Sequence, residues 1–263
     1  MLTELGLYKL FSEDPEKAQR VARWFMGPIT QAIAPCAAYG IERVPREGGI
    51  VVASNHLSAI DPLLLPILCP RTVYQMAKIE LLEVPLAGEL LRWLGSFAVR
   101  RGEGDRDALR VARWIVSEGH AVGFFSEGTR QTLGYPGQSH AGAAMIAIQE
   151  GVPLVPCGLD TFQWSFRNPR RCALVWGEPI DLSALPRNGR GYKEGAAITD
   201  GAILALWRQA AEAVVAGLPD TLSDGAVGHR PLKDDQVSFV DAEPWPDEPW
   251  AKVPLGPVFP GAR

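Results

Sequence analysis

The chain has 263 residues, 47% hydrophobic and 21% charged, with a net charge of −4. It is long and apolar enough for one sizeable core or two small ones, which excludes a disordered chain. The balance is acidic, so nothing global argues for nucleic acid as a partner, and local basic clusters must be judged separately.

Met1 to Phe11 carries Glu4 and no long apolar core, so it lacks the form of a secretory signal. Residues 24–41, WFMGPITQAIAPCAAYGI, are uncharged. Pro28 and Pro35 break them, Thr30 and Gln31 lie inside, and the length is at the short limit for a spanning helix. Just ahead, Lys17, Arg20 and Arg23 stand beside Val21, Trp24 and Phe25. That pattern suits a helix lying in a membrane interface. It suits equally well an amphipathic helix docked on the protein's own core. Residues 1–40 are expected to be helical with proline breaks, and residues 15–40 to be removable without unfolding the α/β core.

From residue 48 the pattern changes. GGIVVASNH predicts a buried strand entering a polar turn, and LLL at 63–65 starts a helix. YQMAKIELLEVPLAGELLRWLG mixes a short strand with helix, and GSFAVRR is a further strand ending at Arg100 and Arg101. DRDALRVARWIVSEG is an amphipathic helix with Leu109, Ala112, Ile115 and Val116 on one face. Asp105 or Asp107 suits its start and Gly119 its end. HAVGFFSEGTR is a strand running into a polar turn, AGAAMIAIQEG a small-residue helix, VPLVPCGLD a strand and RRCALVWGEPI another. TDGAILALWRQAAEAVVAGL closes the series as a long amphipathic helix.

Strands and helices in this alternation predict an α/β fold with a mostly parallel central sheet flanked by helices. Proline and acidic residues crowd the chain after Pro219, which predicts an irregular tail rather than a second domain. The expected organisation is therefore N-terminal helices over 1–40, one domain over 41–219 and a tail over 220–263. Cys36, Cys69, Cys157 and Cys172 form no CxxC, and the four histidines are scattered, so free buried thiols are expected and no multi-His metal site has local support.

Three polar turns come after three apolar strands: NHLSAID, VRRGEGDRD and SEGTR. A parallel sheet can bring all three to one rim, where α/β folds gather their chemistry. His56 and Asp61 are five positions apart, about 140° around an ideal helix, so they meet only if the segment turns. Asp61-Pro62 supplies the turn: the residue before proline avoids the α region, Asp is a good N-cap and Pro a good first helical residue. A carboxylate on one imidazole nitrogen leaves the other free as a base. The bland alternative is that Asp61 only caps the helix. Arg100, Arg101 and Arg130 are surface charges taken singly, but beside a His-Asp pair they become candidates for two-point phosphate binding. There is no G-x-S-x-G elbow and no Walker loop.

These residues carry a resemblance. NHLSAID is similar to the NHxxxxD motif of the 1-acylglycerol-3-phosphate acyltransferase family, with the common serine at Ser58. GSFAVRR resembles the family's second block, placing its phosphate-binding arginine at Arg101. FFSEGTR resembles the FPEGTR block, carrying Glu127, Gly128, Thr129 and Arg130, and VPLVPCGL the fourth block, with Pro156 as its proline. All four stand in family order between residues 50 and 180. There are departures: Ser126 stands where proline is usual and Gln131 where serine is usual, and Ser139-His140 replaces a common basic pair.

The resemblance implies an enzyme that moves a fatty acyl group from acyl-CoA or acyl-ACP to the free hydroxyl of a lysophosphatidate, without metal or cofactor. It implies His56 as base and Asp61 as its partner. Arg101, Glu127, Gly128, Thr129 and Arg130 would form the acceptor site, with Glu127 holding an arginine or a hydroxyl. Asn55, Ser58 and Pro156 would be supporting residues. A two-tailed lipid product implies work at a membrane surface, on the cytoplasmic face, with residues 15–40 as a monotopic anchor. Glycerol 3-phosphate, a lyso-ornithine lipid or a glycolipid are alternative acceptors, and a non-catalytic lipid-binding relative is the remaining rival.

Overall fold

The computed structural model describes residues 15–85, 87–99 and 106–231. Among them the chain forms α1 (Pro15–Ile33), β1 (Cys36–Tyr39), β2 (Ile50–Ser54), α2 (Asp61–Leu68), β3 (Val73–Lys78), α3 (Ile79–Leu82) and α4 (Ala87–Trp93). It continues with β4 (Phe97–Val99), α5 (Arg106–Ser117), β5 (Ala121–Phe125), α6 (Gly142–Glu150), β6 (Leu154–Asp160), β7 (Cys172–Trp176), α7 (Gly189–Val215) and β8 (Gly228–His229). Eight strands make one sheet in the order β4-β3-β5-β2-β6-β7-β1-β8.

The sheet is mostly parallel. The run from β4 to β6 is parallel throughout, β7 is antiparallel to β6, and β1 runs parallel to β7. Strand β2 shows why these residues form a central strand. Every residue from Ile50 to Ser54 is buried, as expected where helices cover both faces. Ile50 and Val52 pack under α2, while Val51 and Ala53 pack under α5, α6 and α7. Helix α1 joins α2 on the first face.

Two expectations for the ends of the domain are corrected. Residues 36–39 are not part of a helical leader: Cys36–Tyr39 is fully buried in the sheet, paired with β7 from Cys36↔Cys172 to Tyr39↔Val175. Its CAAY sequence is small and low in β-branched residues, so burial rather than propensity makes it a strand. Nor is 220–263 irregular from its start. Gly228–His229 adds to the sheet edge, antiparallel to β1, and Ala226 is buried beside it.

The N-terminal segment is also less separable than its sequence implies. Gln19, buried on α1, donates to the carbonyls of Val73 and Leu94 and accepts from Val73 N. These bonds tie α1 to β3 and to the end of α4. The other face of α1 is open: Trp24 is 52% and Phe25 58% exposed, with Val21 and Ile29 alongside. The core-docked alternative for α1 therefore holds on one face, and the other face leaves a row of large apolar side chains open. No described helix is long and apolar enough to cross a membrane. The four cysteines are free and buried, as expected.

Candidate active site

Strands β2, β5 and β6 are neighbours, and all three end at the same rim. Ser54 lies opposite Phe125 on one side and Cys157 on the other. The chain leaves β2 into Asn55 and His56, leaves β5 into Ser126 and Glu127, and leaves β6 at Asp160 into Thr161. Two of the three polar turns are thereby brought together. The third, with Arg100 and Arg101, lies outside the described residues.

Asn55 is buried and clamps the β6 backbone, donating to Leu159 O at 2.8 Å and accepting from Leu159 N at 2.7 Å. That fixes where the next residue leaves the sheet. The His56 ring stacks on Phe125, with centroids 4.4 Å apart, and its side chain keeps 14% exposure. Its Nδ1 lies 2.7 Å from Asp61 Oδ2, so Nε2 remains the nitrogen available to a substrate.

Asp61 is fully buried and more than a cap. It is the first residue of α2 rather than its N-cap, which is Ile60. Its carboxylate turns back over the loop. Oδ2 accepts from the amides of Leu57 at 2.7 Å and Ser58 at 2.8 Å as well as meeting His56, and Oδ1 accepts from the Thr161 hydroxyl. Asp-Pro suggests a backbone cap, but loop amides and Thr161 occupy the carboxylate instead. Charge-assisted bonds of this kind are the strong ones, and they hold the loop as a rigid unit.

Glu127 is the second buried carboxylate of the rim. Among the described residues it holds neither an arginine nor a side-chain hydroxyl. It accepts from two backbone amides, His56 N at 2.8 Å and Gly137 N at 2.7 Å. One carboxylate therefore staples the base's own backbone to the 131–140 loop. Burial pushes the Glu127 carboxyl up to about 7. The two amide donors oppose that shift, and the nearby carboxylates of Asp61 and Asp200 add to it.

Gly128 needs to be glycine. Its φ is +67°, and a Cβ there would stand 2.8 Å from His140 Cδ2. Thr129 and Arg130 are exposed, and among the described residues Arg130 has no hydrogen bond or ion pair. Ser126, in the usual proline position, uses the amide that proline lacks: Ser126 N donates to Ser54 O at 3.0 Å, while its own carbonyl accepts from His140 N. Gln131 N donates to His56 O at 2.7 Å. Ser58 Oγ donates to Trp164 O. Pro156 is a buried strand residue opposite Ala53, and the Pro156 carbonyl accepts from Gly177 N.

Two residues of this rim escape sequence reasoning. Thr161 completes the shell of Asp61, and its only signal is its place just past an apolar strand. Asp200, near the middle of α7, accepts from Ser139 N at 3.1 and 3.3 Å and so anchors the far end of the 131–140 loop. Nothing in the local sequence distinguishes it from a solvated helix charge.

The sequence that places this buried His-Asp pair at a sheet rim matches a known group of proteins. The acyltransferase family profile, described as "Acyltransferase", matches residues 36–160. A 1-acyl-sn-glycerol-3-phosphate acyltransferase of Bacillus subtilis is 30% identical over 159 residues, covering 58% of this chain and 78% of that protein. The chain belongs to this acyltransferase family. The human 1-acyl-sn-glycerol-3-phosphate acyltransferase alpha is 34% identical over 128 residues, 47% of this chain, and the one from Borreliella burgdorferi 31% over 124 residues, 46% of it. The alignment spans 45% of the human acyltransferase and 49% of the Borreliella one. A crystal structure of the 1-acyl-sn-glycerophosphate (LPA) acyltransferase PlsC from Thermotoga maritima superposes with a TM-score of 0.59 over 80% of this chain and 87% of that one, at 23% identity. That likeness establishes the acyltransferase fold.

Proposed function

We propose that the protein transfers a fatty acyl group from a thioester, acyl-CoA or acyl-ACP, to the free hydroxyl of 1-acylglycerol 3-phosphate, giving phosphatidate. The observation that carries the reading is the His56–Asp61 pair, closed at 2.7 Å with Nε2 open, at a rim that also presents Arg130. Nε2 takes the proton of the acceptor hydroxyl as its oxygen attacks the thioester carbonyl. Asp61 keeps the imidazole oriented and stabilises the imidazolium. The tetrahedral intermediate then expels the thiolate, which takes the proton back from His56. The route forms no acyl-enzyme.

Arg130 and Arg101 bind the acceptor phosphate, while Glu127 and Gly128 shape the turn that presents Arg130. The names of the relatives support lysophosphatidate as acceptor. The open apolar face of α1, with Trp24, Phe25 and Ile29, supports peripheral membrane association, as an interfacial helix does. The test mixes purified protein with acyl-CoA or acyl-ACP and a panel of acceptors: lysophosphatidate, glycerol 3-phosphate, lyso-ornithine lipid and a glycolipid. Phosphatidate is the expected product by mass. Product from another acceptor alone overturns the assignment. His56→Ala is expected to lower turnover at least ~10²-fold without loss of fold, and a variant with normal turnover overturns the mechanism.

A further inference from the structure

Strands β6 and β7 are joined by residues 161–171, TFQWSFRNPRR, which hold three arginines, three aromatics and no acid. In a chain of net charge −4 this is a local reversal of sign. The segment is a built hairpin. Ser165 and Asn168 exchange backbone hydrogen bonds across the tip, and Asn168 Nδ2 donates to Gln163 O. Phe166 sits at the tip, 78% exposed, edge-on to Trp164 at 5.0 Å between centroids. Arg170 is engaged with Gln163 Oε1 at 2.9 Å. Arg167 and Arg171 are exposed, with no hydrogen bond or ion pair among the described residues.

A second loop lies against the first. The Phe162 ring covers Gly134 so closely that a Cβ there would stand 2.8 Å from Phe162 Cε1. On either side of Gly134, Leu133 is 71% exposed and Tyr135 is exposed as well. Both loops are fastened to the catalytic turn, one through Gln131 N to His56 O and the other through Ser58 Oγ to Trp164 O. Trp164 Nε1 also donates to Ile33 O, at the end of α1. Large apolar side chains standing free at two joined loop tips are unfavourable in water and mark a contact surface. Arginines that the fold leaves unpaired beside them attract anionic headgroups.

We infer that these two loops form a second membrane contact, separate from the open face of α1, which seats the mouth of the site on an anionic lipid surface. Phe166 and Leu133 enter the boundary between headgroups and acyl chains, and Arg167 and Arg171 meet lipid phosphates. Apolar tips on two separate loops fit a fluid boundary better than the fixed surface of an acidic carrier protein. The inference rests on the acyl-transfer reading only for what passes through the mouth, because binding to vesicles is measured without transfer.

The experiment compares the full chain with Arg167→Ala/Arg171→Ala and with Leu133→Ser/Phe166→Ser. Each is sedimented with phosphatidylcholine vesicles with and without phosphatidylglycerol, and melting temperatures check folding. The arginine pair is expected to lose about tenfold in affinity for the anionic vesicles and little for the neutral ones. The apolar pair is expected to lose severalfold on both. Partition unchanged in both pairs overturns the inference. So does an arginine pair with unchanged partition and a raised KM for acyl-ACP or acyl-CoA, which would make the hairpin a donor dock. If the wild type shows the vesicle pattern but no transfer to any acceptor, the proposed chemistry falls and this contact stands.

Discussion

Asp61 and Glu127 are both buried carboxylates held by hydrogen-bond donors, but they serve different purposes. Asp61 gathers the His56 ring, two loop amides and the Thr161 hydroxyl. Thr161→Val keeps the volume and leaves Asp61 Oδ1 without its donor. An unmet buried acceptor of this kind costs about 1–3 kcal/mol, so kcat should fall about tenfold with acceptor KM little changed, and Thr161→Ser should restore it. Equal rates in all three would remove Thr161 from the machinery. Glu127 accepts from two backbone amides, and its carboxyl is raised by burial from an ordinary 4.5 to about 7. Between those values the folded protein holds a proton that the unfolded chain has released. Its stabilising contribution is therefore full below about 4.5 and lost as pH rises through about 7. Wild-type stability should fall across that window by roughly 3 kcal/mol more than that of Glu127→Gln, measured by denaturant melts at a series of pH values. A parallel pH profile in the two proteins would show that Glu127 is not raised. His56, Asp61 and Glu127 are legible because each stands within a short motif next to an apolar strand. Thr161 and Asp200 are not, because their partners lie 100 and 61 residues away.

At the scale of elements, periodicity and burial make most strands and helices readable, and packing decides the rest. Helix α1 is the clearest case. Its sequence fits both a membrane-facing helix and a core-facing one, and the Gln19 bonds to β3 and the end of α4 show that one face is docked on the core. Deleting residues 15–40 should unfold the domain, since β1 goes with them. Trp24→Ser/Phe25→Ser touches only the open face and should weaken vesicle binding while leaving the melting temperature unchanged. A melting temperature that drops with vesicle binding unchanged would turn the stripe into ordinary packing surface. Helix α7 shows the opposite limit. Its crossing of β6 needs Gly158, where a Cβ would stand 2.2 Å from Trp207 N. Gly158→Ala must push the helix off the strand, and overpacking of this kind costs about 1–3 kcal/mol. Denaturant unfolding of the variant measures it, and wild-type stability would mean that the contact is looser than the geometry requires.

At the scale of the whole molecule, composition sets the tail apart from Pro219 onward, but the sheet does not end there. Strand β1 would otherwise be an edge, with unpaired amides and carbonyls open to another chain. Residues 220–231 cover it. Ala38 pairs with His229 and Tyr39 with Gly228. Tyr39 Oη donates to Pro219 O at 2.8 Å, and Gly228 N donates to Asp220 O at 2.6 Å. Arg43, just past β1, reaches Trp176 O at 3.0 Å and Asp224 Oδ2 at 2.9 Å, tying the same turn to the same segment. A two-residue strand has no periodicity to read, so its sequence looks like the proline-rich stretch after it. A cut at 224, inside the tail that composition sets apart, therefore differs from the cut the fold permits, after 231. A chain ending at 224 loses both β8 pairs and the buried Ala226, and it frees the β1 edge. It should be less stable by about 1–3 kcal/mol, the range for unmet buried polar groups, and should associate through that edge. A chain ending at 231 keeps every one of these contacts. Melting temperature and light scattering of the two truncations side by side decide the matter, and equal behaviour would show that β8 adds nothing to the fold.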